Sequence, residues 1–266
     1  MQYFAAVLGS FSLLAWAWAA ARVSRGEPLV AHEPRRPVPW QGADLLVIAV
    51  FFAAAIGLFA AAFSSAIGDG RGPIKDEVAM AAGASANALT IGFALIWLVR
   101  RTGAEASDLG WRRDSLGRDV RIGLVAFAAL SAPVYALQLF LSQFSSQQHP
   151  IIEALGKAPS GWLYVLAGLS AVVVAPPAEE FFFRGLLQGW LEARGWNHGA
   201  IIFTSLFFAV MHWGHGMAPV TLFFFSLGLG WLYQRTHRLL PSIVVHFCLN
   251  ACSLALLPLA HVDRAA

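Results

Sequence analysis

The feature that most restricts the fold is the recurrence, from one end to the other, of apolar windows about 20 residues long, the length a helix needs to cross the bilayer hydrocarbon. The first of them, "MQYFAAVLGSFSLLAWAWAAAR", is typical. With 58% of its 266 residues hydrophobic and 12% charged, the chain is too apolar for a water-soluble fold and far from disordered compositions. Windows near 2–22, 44–67, 79–99, 120–142, 161–191, 199–218, 219–235 and 240–260 predict an all-α class, a polytopic bundle of about eight transmembrane helices. No internal repeat is evident among them. The first window lacks a basic leader and outruns a signal-peptide core, so it is expected to remain as an anchor.

Charge then orients the bundle. Arg22, Arg25, Arg35 and Arg36 follow the first window, and Arg100, Arg101, Arg112, Arg113 and Arg118 follow the third, which predicts both links to be cytoplasmic. Alternation puts Arg194, Arg235 and Arg238 on the same side and both termini outside. Arg71 and Lys75 fall in an outer link, where Asp69, Asp76 and Glu77 accompany them. Short basic clusters of this kind are topology signals, so nucleic acid is excluded as a partner and membrane lipid is expected as one. The expected location is an integral, multi-pass place in a bacterial or archaeal-type cell membrane. The segment "SDLGWRRDSLGRDVRIG" reads equally as an interfacial segment, with Trp111 at headgroup level, or as a polar loop. Cys248 and Cys252, four apart on one apolar window, are expected to be small buried hydrophobes and not a disulfide. Ser226 and Gly230 stand at the spacing that lets helices approach closely, which is packing.

The stretch "PPAEEFFFRG" concentrates two carboxylates and a guanidinium within an apolar run. Each charge near a membrane-helix centre costs on the order of 3 kcal/mol, so the three need partners or a purpose. From Gly161 to Pro176 and Pro177 a helix covers only about 22 Å of a roughly 30 Å core, which puts Glu179 and Glu180 inside the membrane or at its inner edge. The whole stretch would span about 46 Å, demanding tilt or a kink, and the prolines free carbonyls on the preceding turn. Glu180 and Arg184 share a helix face and are expected to pair; Glu179 points about 100° away. Imidazoles stand in two later windows: His212 in "FFAVMHWGH", and His246 with Asn250 four residues on in "VVHFCLN". A carboxylate, two imidazoles and an amide around one point can activate water, hold a metal or relay protons. An ion pair that only joins two helices is the structural alternative. His215, His198, His237 and His261 fall at window ends and are expected to be terminal or interfacial polar residues.

Glu179-Glu180 followed by Arg184 resembles E-E-x-x-x-R, Phe208 to His212 resembles F-x-x-x-H, and His246 to Asn250 resembles H-x-x-x-N. These blocks, in this order on successive helices, resemble the intramembrane proteases that include the type II CAAX prenyl endopeptidases and their bacteriocin-processing and abortive-infection relatives. The resemblance covers residues 120–260, taken as the protease core; residues 1–119 form transmembrane helices and cytoplasmic loops without a motif. It implies hydrolysis of a peptide bond in a membrane-associated or lipidated substrate. Glu179 would be the general base, His212 would help hold the water, and His246 and Asn250 would donate to the oxyanion. Glu180 with Arg184 would keep Glu179 oriented. Glu179, His212 and His246 could instead hold a divalent metal such as zinc, leaving a fourth position for water. No H-E-x-x-H helix is present, and Asn250, a weak zinc ligand, favours the metal-free form. A proton-coupled transporter and a non-catalytic bacteriocin-immunity or scaffold protein are the rival classes. One geometric demand remains: counted from the cytoplasmic links, His212 would sit about 20 Å deep, but His246 and Glu179 only about 8 Å.

Overall fold

The computed structural model describes residues 2–35, 37–67, 74–144, 155, 161–214 and 216–265. Among these residues the chain forms eight helices and no strand: α1 (Gln2–Ser24), α2 (Gly42–Ile67), α3 (Ile74–Thr102), α4 (Leu116–Leu141), α5 (Gly161–Glu192), α6 (Asn197–Met211), α7 (Ala218–Thr236) and α8 (Leu239–Ala265). Helices are forced by the solvent: in hydrocarbon each backbone N–H and C=O must be satisfied within the protein. Six of them, α1 to α5 and α8, are long and apolar enough to cross a membrane, and the chain is a polytopic, multi-pass membrane bundle. The sixth predicted span is shorter than expected. It has 15 residues, about 22 Å of helix, and ends at Met211 because the chain turns at His212 and enters glycine-bearing positions, Gly214 at φ +93° and Gly216 at φ +60°.

Side chains are sorted for lipid. Leu13, Leu58, Ile96 and Leu139 stand exposed on the outer surface, while Glu180, Arg184, Gln188, Ser226 and Ser242 are fully buried. Lipid tails are as apolar as leucine, so apolar burial gives little drive to assemble; close packing and buried polar bonds must do more. Gly123 of α4 meets that demand. A Cβ there would lie 2.7 Å from Val244 Cβ and 2.8 Å from the Pro241 carbonyl, so only glycine allows this approach of α4 to α8. α4 also carries α1, α2 packs on α3, α3 on α5, and α6 on α7.

The basic ends are tied by a polar collar. The indole of Trp40, fully buried, donates to the Leu186 carbonyl at 3.2 Å, and Arg235 donates to Val30 O at 3.0 Å. Arg35 bonds Glu192 and the Gly189 carbonyl. Arg238 reaches Asp119 at 2.6 Å and Asp114 at 2.9 Å, and Glu33 is shared by Arg112 and Arg118. Residues 103–115 form no helix and are held by these bonds, with Leu239 N–H donating to Gly110 O at 3.0 Å; the rest of the segment from Ser107 to Gly123 is the first turns of α4. Both cysteines are free and half-buried.

Candidate active site

α5 carries the charged turn without breaking at its prolines. Pro176 and Pro177 occupy the first turn of a short α-helical stretch, Ala175–Glu180, where a missing N–H is tolerated. On either side the helix widens into π-helical stretches, Gly168–Val174 and Phe181–Gln188. The N–H of Ala175 bonds Ser170 O, five residues back. In that register Ala171 O awaits the N–H of Pro176, which has none. The Asn250 amide supplies the bond instead, with Nδ2 donating to Ala171 O at 2.8 Å. One of the two amide hydrogens is thereby committed.

The wider helix places consecutive acids in different surroundings. Glu180 is fully buried, and its Oε1 accepts from Arg184 Nη1 at 3.1 Å and from His246 Nδ1 at 2.9 Å. Arg184, itself fully buried, continues to α7 through Ser226 Oγ at 2.7 Å and Ser226 O at 3.3 Å, and lies 5.1 Å from the Phe208 ring centre. The expected Glu180–Arg184 pair is therefore present, but it grips His246, which the sequence did not indicate. Glu179 keeps 23% of its side chain exposed, and its Oε2 stands 3.7 Å from His246 Nε2. With Nδ1–H directed to a carboxylate, a neutral His246 presents Nε2 as an acceptor toward Glu179. Phe208 and Phe225 wall the imidazole edge-on, at 6.0 and 5.4 Å between centres.

His212 lies at the C-terminal cap of α6 and not within it; its Nδ1 meets Phe208 O at 2.8 Å, and its ring centre is 4.7 Å from that of Phe208. One phenylalanine thus touches both imidazoles. His215 lies outside the described residues. Among the described residues no three of His, Cys, Asp and Glu are grouped to hold a metal ion, so Glu179, His212 and His246 do not fit a zinc centre as arranged.

The α7–α8 turn is recessed: Thr236, Arg238 and Leu239 are buried beneath the collar. Counted from Glu192, the end of α5 beside Arg194, Glu179 is about 20 Å along the helix, where about 8 Å was expected. Ser226 was legible only as a packing residue; nothing in its surroundings in sequence identifies it as the partner of Arg184. Gly230 does pack closely, and its carbonyl also accepts from Gln188 at 2.8 Å.

Residues 161–252, from the start of α5 to just beyond Asn250, match the family model for type II CAAX prenyl endopeptidase Rce1-like proteins. Over 103 residues the chain is 29% identical to the "Probable CAAX prenyl protease 2" of Schizosaccharomyces pombe, covering 31% of this chain and 38% of that protein. The chain therefore spans well under half the length of the curated relative it matches. No solved structure matches it.

Proposed function

We propose, from the match of residues 161–252 to the type II CAAX prenyl endopeptidase Rce1-like family model, that the chain is an intramembrane endopeptidase of this kind acting on a membrane-associated or lipidated peptide, with 120–260 as its core. The observation that carries the reading is the buried series Arg184–Glu180–His246, ending 3.7 Å from the partly exposed Glu179. Glu179 takes a proton from water, whose oxygen attacks the scissile carbonyl carbon. The proton is within one transfer of His246 Nε2. Protonated on both nitrogens and balanced by Glu180, the imidazolium donates to the oxyanion, as does the second hydrogen of the Asn250 amide, and then returns the proton to the leaving amine. Fixed donors in a water-poor site stabilise developing charge more than water does. His212 holds the water from the α6 side. The fully buried Arg184 bonds Glu180 and anchors it to α7.

Purified protein offered a lipidated or membrane-anchored peptide should cleave it, and Glu179→Gln should lower the rate by about 10²–10⁴-fold, the usual contribution of a general base. His246→Ala should fall comparably. Cleavage by Glu179→Gln at the parental rate removes the assigned base. Intact biological activity in a variant with no cleavage would favour the immunity or scaffold reading, and abolition by a chelator would restore a metal to the mechanism.

A further inference from the structure

Away from the acidic turn, a cavity of about 530 Å³ opens between α1, α4, α7 and the link after α1. It has the size of a small-molecule site. Its walls are apolar, with Trp18 on α1, Val125 on α4 and Trp231 on α7, and its basic end carries Arg22, Arg118 and Arg121. Along α1 it runs from Arg22 to Ala15 and along α4 from Arg118 to Ala129, about 10–17 Å of helix. That approaches the hydrocarbon depth of one leaflet, about half of a roughly 30 Å core.

The cations at this end are under-compensated. Glu27 serves both Arg22, at 3.3 Å, and Arg25, Glu33 serves both Arg112 and Arg118, and Asp119, 3.9 Å from Arg118, is fully buried against Arg238. Arg121 is exposed, and its side chain makes no ion pair or hydrogen bond among the described residues. An apolar slot one leaflet deep, with surplus guanidinium at its headgroup end, is complementary to one kind of molecule. We propose that this cavity binds an anionic phospholipid, its phosphate on Arg121 with Arg118 and Arg22 flanking, and an acyl chain along Trp18, Val125 and Trp231. Basic recesses between helices on the cytoplasmic side recognise acidic headgroups by this charge complementarity. The site uses none of the groups assigned to hydrolysis, so it stands or falls separately from the protease reading.

The test is native mass spectrometry of the full chain in nonionic detergent, titrated with dioleoyl phosphatidylglycerol or dioleoyl phosphatidylcholine. Phosphatidylglycerol should bind in preference to phosphatidylcholine, about fivefold more weakly to Arg121→Gln, the effect of one basic residue at an acidic surface. Binding should be lost in Ala19→Trp, which fills the slot without altering charge. Arg121 is exposed and unpaired, so its variant has no reason to misfold, and unchanged thermal unfolding checks both. Equal binding of the two lipids, unaltered affinity in Arg121→Gln, or retained binding in Ala19→Trp overturns the proposal. Displacement by millimolar inorganic phosphate would also overturn it, because the occupant would then be a free anion.

Discussion

Glu179 and Glu180 are adjacent in sequence, but a rotation of about 100° per residue gives them unlike neighbours. Glu180 is sealed between a guanidinium and an imidazole, whereas Glu179 retains solvent access on the far side of that imidazole. In the proposed mechanism the difference divides support from chemistry, and it makes the two acids separable by mutation. Arg184→Met would leave Glu180 as a buried charge without its cation and should destabilise the protein by about 3–5 kcal/mol. Ser226→Ala removes one bond to a charged group and should cost about 1.5–3 kcal/mol. Thermal unfolding in detergent measures both, and two variants as stable as the parent would mean that this chain of bonds does not anchor α5 to α7. The Glu180–Arg184 pair was readable from helical spacing alone. Its grip on His246 was not, because residues 66 apart meet only through the packing of α5 on α8.

At the level of helices, α5 and α8 are joined by a bond that the prolines create a need for. Ala171 O lacks a backbone donor because its partner in the π register is Pro176, and Asn250 fills the gap. Asn250→Ala should therefore cost stability, about 1–3 kcal/mol for an unsatisfied buried carbonyl, as well as activity. Pro176→Ala restores an N–H at the right position. In the double variant the stability loss should shrink while the activity loss persists, since the proposed oxyanion donor is still absent. Rescue of both, or of neither, would contradict the separation of the two roles. The α4–α8 contact offers a second check: Gly123→Val forces atoms against Val244 and the Pro241 carbonyl and should destabilise the fold by about 1–3 kcal/mol or more. A melting temperature equal to the parent's would contradict the close approach.

For the whole molecule, the collar at the basic end holds the recessed α7–α8 turn in place. His237 caps α7 in the left-handed region at φ +47°, and burial, with Arg35 and His32 adding repulsion, pushes its ring down to about 4. Glu192 lies 3.8 Å away but already bonds Arg35 and Gln188, and Glu33 opposes the shift only weakly, so burial prevails. The unfolded chain then binds the extra proton first. Stability contributed by the neutral ring is complete above about 6.5 and is lost as pH falls from there toward about 4. Asp114 adds a lower step: the Arg238 hydrogen bond holds its carboxyl at about 2, so its contribution is lost between about 4 and about 2. Unfolding in detergent across pH 3–8 should show the upper step vanish in His237→Asn, a residue that tolerates the same backbone region. An unchanged profile would refute the assignment.

Taken alone, the amino-acid order determined that this chain is a helical membrane bundle, because apolar windows of spanning length permit nothing else in hydrocarbon. It also singled out Glu179, Glu180, Arg184, His212, His246 and Asn250, because polar groups in such windows are costly enough to stand out. Tertiary structure decided which of them touch. Helical spacing fixes neighbours within a helix, but the π-helical widening of α5, the early end of α6 and the packing of α5 on α8 decide which groups meet across helices. Such meetings depend on packing between segments, where apolar burial gives little guidance and a glycine, a proline-freed carbonyl and a buried serine make the difference.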